Sequence, residues 1–166
     1  MNKWNKIIYP TDFSSAAEAV FDTAQRLARD SDALLLIVHV VEPVVAATPG
    51  TVAPPVTIGG TDLSETQQKA VTEARKELHK VVPTDPVIRF EHRVIEGLAS
   101  DGILNLAELE QPDLIVMGTH GRTGLKRLLM GSVAEKIVRH ARCPVLTLKA
   151  SKSSSENSGE SEAPRS

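Results

Sequence analysis

Leu114-Ile115-Val116-Met117-Gly118-Thr119-His120-Gly121 is followed, after nine intervening residues, by Gly131-Ser132. Four apolar residues running into glycine read as a buried strand, and Gly131-Ser132 opens an amphipathic helix pattern. A strand, a glycine-bearing turn and a helix start in that order have the layout of a phosphate-binding turn. Glycine lets the backbone approach an anion closely, and the first turn of a helix supplies unpaired N–H groups and the positive end of its dipole. Neither G-x-x-x-x-G-K-[ST] nor G-x-G-x-x-G occurs, which argues against a P-loop NTPase and an ordinary dinucleotide enzyme.

Upstream, Ile7-Ile8-Tyr9 reads as a short buried strand stopped by Pro10. Ser15-Ala16-Ala17-Glu18 fits a capping box with Ser15 at the N-cap. Ala16, Val20, Ala24, Leu27 and Ala28 then share one helical face to about Arg29. Ala33 to Val41 is a nearly unbroken apolar run, as in a central parallel strand buried on both faces. Glu42 to Asp62, with Pro43, Pro49, Pro54, Pro55, Gly50, Gly59 and Gly60, reads as a long loop. Such length inside a compact domain calls for a functional or disorder explanation; a lid over a ligand and an ordinary insertion are both open.

Helix pattern returns from Leu63 to Val82 and stops at Pro83. Val87 to Ile95 alternates, with Ile88, Phe90, His92 and Val94 on one face and Arg89, Glu91 and Arg93 on the other, which predicts a half-exposed edge strand. Gly97 turns the chain into a helix over Ala99–Glu110, and Pro112-Asp113 leads into the strand first quoted. The last helix starts at Gly131-Ser132, is expected to bury Val133, Ile137, Val138 and Ala141, and ends before Pro144. Val145-Leu146-Thr147-Leu148 closes the pattern as a short strand.

The alternation β-α-β-α-β-α-β-α-β predicts an α/β fold: a doubly wound, five-stranded parallel sheet with helices on both faces. In such folds the ligand lies beyond the carboxyl ends of the strands where strand order reverses. If the first and fourth strands are neighbours there, Pro10-Thr11-Asp12 and the Gly118 turn face each other.

With 166 residues, 41% hydrophobic and 24% charged, the chain has the makeup of one globular domain. Residues 1–149 form that domain, and 150–166, rich in Ser and Glu without large apolar residues, read as a disordered tail. A net charge of −2 gives no broad pull toward nucleic acid or anionic membrane. A single cysteine, Cys143, excludes an internal disulfide framework. The N-terminus lacks the apolar stretch of a signal peptide and no run approaches a membrane span, so a cytoplasmic protein is expected.

Ile8-Tyr9-Pro10-Thr11-Asp12-Phe13-Ser14, Val38-His39-Val40, Met117-Gly118-Thr119-His120-Gly121 through Gly131-Ser132-Val133, and Cys143-Pro144-Val145-Leu146 together resemble the universal stress protein family over about residues 3 to 149. Gly118, Gly121, Gly131 and Ser132 match the G-x2-G-x9-G-[ST] motif of its ATP-binding subgroup. The resemblance implies strand order 3-2-1-4-5 and a homodimer through the last strand, Val145–Leu148. It implies that Asp12 accepts hydrogen bonds from the nucleoside, with Pro10 and Thr11 beside it, and that Val40 and Met117 line the adenine pocket. Gly118 and Gly121 make room for ribose and phosphates. Gly131, Ser132 and Val133 donate backbone N–H groups, and Ser132 its hydroxyl, to the phosphates.

Asp12 is expected to be free for a ligand, since the Ser15–Glu18 box already caps the first helix. Arg122, Lys126 and Arg127 read either as cations that neutralise phosphate charge, Arg122 first as the nearest to the cradle, or as a solvated surface loop. His120 is a weak candidate base that nothing in the sequence orients. His39, His92 and Cys143 read as packed residues, and Gly124 as relief for a turn. No catalytic residue and no protein metal site is assigned; Mg²⁺ would arrive on the phosphates of ATP. Three functions stand: an ATP-binding regulatory module in the stress response, a slow ATPase using the same cradle, and a dimeric interaction scaffold without nucleotide.

Overall fold

The computed structural model describes residues 4–44, 63–119 and 130–149. The elements are β1 Lys6–Pro10, α1 Ser15–Ser31, β2 Leu34–Val41, α2 Leu63–Leu78, β3 Phe90–Glu96, α3 Ala99–Glu110, β4 Leu114–Gly118, α4 Ser132–His140 and β5 Val145–Leu148. The strands form one sheet of order β3-β2-β1-β4-β5, and every neighbouring pair is parallel. The doubly wound sheet and its strand order are therefore as expected. Order reverses between β1 and β4, which lie side by side with Ile8 opposite Ile115.

Because successive strand residues point to opposite faces, each buried strand feeds two cores. Ile7, Tyr9, Leu35, Ile37 and Val116 pack with Val20, Ala24 and Ala28 of α1 and Leu78 of α2. Ile8, Leu36, Val38, Ile115 and Met117 pack on the other face with Ile103 of α3 and Ile137 of α4. The strand β2, buried at nearly every position, is an interior strand between β3 and β1, as its nearly unbroken apolar run predicts.

The amino end of the sheet is tied by Asp113. Its Oδ2 accepts the backbone N–H of Asn5 at 2.7 Å and of Lys6 at 3.0 Å. Lys6 Nζ in turn donates to the Glu110 carboxylate and to the Glu110 carbonyl, both at 2.8 Å. The backbone donors of Asn5 and Lys6 hold the Asp113 carboxyl below its ordinary pKa, and the Lys6 ammonium does the same for Glu110.

Several boundaries differ from the sequence expectation. The N-cap of α1 is Ser14, whose Oγ accepts Ala17 N–H at 3.2 Å, and Ser15 is the first helical residue. The helix α2 ends at Leu78 instead of Val82: the chain passes through a turn, with Val81 N–H on Leu78 O, before Pro83. Proline bars the helical region at Val82 alone; the earlier stop comes with i→i+3 bonds, Lys80 N–H on Glu77 O and Val81 N–H on Leu78 O, which tighten the last turn. The strand β3 starts at Phe90, not Val87, because Asp85 Oδ1 takes the N–H of Val87 in a local turn. In α4 the buried positions are Ala134 and Ile137, with Val133 only half-buried and Val138 46% exposed. A start at Ser132 sets the helical phase 134, 137, 141, which carries Val138 to the outside. The greater part of the proline-rich loop and the whole of the 150–166 tail lie outside the described residues.

Candidate functional site

The carboxyl ends of β1, β2 and β4 meet at the reversal of strand order. Beyond β1, Thr11 N–H continues the ladder onto Val38 O at 2.8 Å, and Thr11 is buried. The next three residues are held in a dense set of contacts. Phe13 N–H donates to Thr11 Oγ1 at 3.1 Å. Asp12 Oδ1 accepts the Ser14 N–H at 3.1 Å and the Ser14 hydroxyl at 2.6 Å. Ser14 Oγ in turn caps α1. Asp12 is thus engaged with Ser14 and not left idle by a cap at Ser15. An aspartate bonding the N–H two residues on is an Asx turn, and Asp-x-Ser was the signal available in the sequence.

Phe13 has a φ of 62°, in the left-handed region. For a bulky side chain with no local polar compensation this is a strained conformation, costing about 1–3 kcal/mol. Its ring stacks on the imidazole of His39, centroids 4.2 Å apart and 26° between planes. His39, 9% exposed on the α1 side of β2, places Nδ1 2.8 Å from Thr11 O. A carbonyl only accepts, so Nδ1 carries the proton in this contact. His39 is packed, as expected, but it also grips the loop after β1. Nothing in the sequence announced the Phe13 conformation or the stack.

Tyr9 fixes the loop from below, its hydroxyl donating to Ala17 O at 2.7 Å within the first turn of α1. Burial pushes its pKa up to about 12, so it remains a neutral donor at physiological pH.

Val40, next to His39, points to the opposite face of β2 and joins the core that includes Met117. Met117 is buried and Gly118 half-buried at the end of β4. Thr119 N–H extends the ladder to Leu148 O at 3.0 Å, and Thr119 O accepts Gly131 N–H at 2.8 Å. That last bond ties the start of α4 to the end of β4 across the intervening residues. It also occupies the Gly131 amide in this structure, so Ser132 and Val133 supply the first-turn N–H groups.

Gly131 is the N-cap of α4, at φ −64° and ψ 151°, and among the described residues no side chain caps the helix. An uncapped helix start with its dipole facing the switch point suits an anion such as a phosphate. The nucleoside and phosphate halves of the expected site, Pro10-Thr11-Asp12 with Val40 and Met117-Gly118 with Gly131-Ser132-Val133, therefore lie at one end of the sheet. Gly121, Arg122, His120, Gly124, Lys126 and Arg127 lie outside the described residues. Among the described residues no cluster of His, Cys, Asp and Glu is arranged to hold a metal ion. There, too, no helix is long and apolar enough to cross a membrane.

A parallel sheet reversed between β1 and β4, with an Asx-turn loop on one side and a glycine–serine helix start on the other, defines a doubly wound α/β protein of the kind that carries its ligand at the carboxyl edge. The sequence profile of the universal stress protein family matches residues 3–149, and the chain belongs to that family. It is 36% identical over 149 residues to the universal stress protein MJ0531 of Methanocaldococcus jannaschii, spanning 89% of this chain and 84% of that one. The solved universal stress protein UspA from Lactobacillus plantarum superposes with a TM-score of 0.73 at 27% identity, over 89% of this chain and 99% of that one. A family protein from Arabidopsis thaliana, solved with AMP bound, shares the fold with a TM-score of 0.51 at 20% identity, covering 94% of this chain and 97% of its own.

Proposed function

We propose that this universal stress protein is an ATP-binding regulatory module that works as a homodimer. Asp12 and the Pro10-Thr11 backbone take the nucleoside, Val40 and Met117 flank the base, and Gly118 with Gly121 leaves room for ribose and phosphates. Ser132 and Val133 N–H groups and the Ser132 hydroxyl bind phosphate at the start of α4, with Arg122 neutralising charge. Mg²⁺ enters on the phosphates. The dimer forms by pairing β5 of two subunits, since β5 ends the sheet and pairs within the chain only with β4 among the described residues.

The observation that carries this reading is the helix start at Gly131-Ser132, without a side-chain cap among the described residues and tied to the end of β4 through Thr119. The fold is able to hold an adenine nucleotide, as the AMP-bound relative illustrates. Occupancy would set the conformation of the loops around the site, and so the choice of partner.

The test is ATP titration of the purified full chain by calorimetry and thermal denaturation, alongside Gly131→Leu. At a hundredfold excess over Kd, binding should stabilise the native state by about 2.7 kcal/mol. The dihedrals of Gly131 are open to any L-residue, so Gly131→Leu should fold normally, yet its side chain should obstruct the phosphates and lower affinity at least tenfold. An unmodified chain that releases no nucleotide on denaturation and shows no thermal shift with ATP favours the scaffold reading. ATP turnover above the spontaneous rate favours the ATPase.

A further inference from the structure

We propose that Phe13 and His39 form a positioning pair that holds the Thr11–Asp12 segment in its binding conformation. This rests on the nucleotide reading above and assigns roles to two residues outside the expected binding set.

Phenylalanine gains nothing from a left-handed backbone. At φ 62°, Phe13 is kept there by its surroundings: the Thr11 Oγ1 bond to its N–H and the ring stacked on His39. Strain of this kind persists only where neighbouring contacts over-determine the conformation. The effect is local and directional. Turning the backbone at residue 13 brings the Ser14 N–H and hydroxyl onto Asp12 Oδ1, which orients the carboxylate.

His39 anchors the arrangement to the sheet. A buried imidazole costs stability unless its polar atoms are satisfied, and an aliphatic residue would fill that site more simply. Its Nδ1 instead lies on the carbonyl of Thr11, within the loop that must be held. The neighbouring residue, Val40, flanks the base on the opposite face of β2. One two-residue piece of β2 therefore fixes both the wall and the carboxylate side of the site, in register.

The experiment uses the full chain with Phe13→Gly, His39→Leu and Phe13→Tyr. Circular dichroism at the working temperature confirms that each variant is folded. ATP affinity is read by calorimetry. In nucleotide-free protein, hydrogen-exchange protection is read at the Ser14 and Ala17 amides, with the Leu146 and Leu148 amides of β5 as controls. Phe13→Gly relieves the backbone but removes the ring; it should weaken ATP binding at least tenfold and reduce Ser14 protection by a similar factor, leaving β5 unchanged. His39→Leu should do the same, and the double variant should be little worse than either single one. Phe13→Tyr, which keeps the stack, should match the unmodified chain within twofold. A Phe13→Gly variant that retains either its affinity or its Ser14 protection overturns the proposal, since a merely structural role would change stability without moving both. Failure of the unmodified chain to bind ATP overturns the functional reading, and is distinguished because it precedes any substitution.

Discussion

Gly102 lies inside α3, where glycine is a poor choice: it costs about 1 kcal/mol relative to alanine in a helix interior. Its neighbours explain it. A Cβ built at Gly102 would lie 3.3 Å from Val40 Cγ1 and 3.4 Å from Val40 Cγ2 and Ile95 Cγ2. The glycine lets α3 settle onto the ends of β2 and β3, and onto the residue expected to flank the base. For Gly102→Ala, the helix gain of about 1 kcal/mol is offset by pressing two sheet side chains apart by a few tenths of an ångström, and the net change should be near zero. Gly102→Val adds two more methyl groups to that contact and keeps only part of the helix gain. Overpacking of about 1–3 kcal/mol should then dominate, for a net loss of about 1–2 kcal/mol. At about 2–4 °C per kcal/mol for a domain of this size, the melting temperature should fall by roughly 2–8 °C. Urea unfolding at fixed temperature measures the change directly, and a double-mutant cycle with Val40→Ala isolates its cause. With Val40 truncated, Gly102→Ala should become stabilising by about 1 kcal/mol, a coupling well above the additivity expected of non-contacting residues. Equal effects of Gly102→Ala in both backgrounds, or a neutral Gly102→Val, would refute the close-approach explanation.

Gly97, at the turn between β3 and α3, has a φ of 141° with nothing within 4 Å of a built Cβ. Gly97→Ala should cost about 1–3 kcal/mol by backbone strain alone, readable as a fall in urea midpoint at unchanged m-value. The Asp113 carboxyl is held below its unfolded pKa of about 3.9, so its contribution is present in full above that pH and is lost as pH falls through the folded value. The stability gap between the natural chain and Asp113→Asn should therefore be constant near neutrality and shrink below about pH 4, and a gap independent of pH down to 2 would contradict the assignment.

Much of the architecture was legible because its signals are local. The run Ala33–Val41, apolar and rich in Leu and Val, reads as a strand buried on both faces, and α3 was bounded correctly because Gly97 and Pro112 punctuate it on either side. The strand Val145–Leu148 was likewise confined between Pro144 and a polar tail. The errors arose where two local signals compete. Ser14 and Ser15 are both competent caps, and only the Asx turn from Asp12 selects the first. In α4, Val133 and Val138 are as apolar as Ala134, but the phase is set by the helix start and by packing on α3, which no hydrophobicity count reveals. The left-handed Phe13 is the extreme case: the preferences of the residue point away from its conformation, and only the tertiary contact with His39 accounts for it.

The two helix starts flanking the strand-order reversal differ in a way that bears on the site. At α1, Ser14 supplies an oxygen to the first-turn amides, as the ordinary cap preference would have it. At α4 the cap position is Gly131, in an extended conformation that serine, threonine or aspartate would adopt without strain. Backbone freedom therefore does not explain the glycine, and a capping side chain would have been the better choice for the helix alone. What glycine provides there is the absence of a side chain: position 131 itself places no capping group over the amides of Ser132 and Val133. The third helix, α3, also lacks a side-chain cap, but its N-cap residue is Leu98, whose bulky apolar side chain suits no anion. Of the helix starts at this edge whose caps are described, α4 alone combines a small cap residue that makes no side-chain cap bond with a hydroxyl at its first position. That combination is a poor solution for a helix and a good one for a phosphate, which is why the glycine-serine pair outweighs the neighbouring apolar positions in assigning the site.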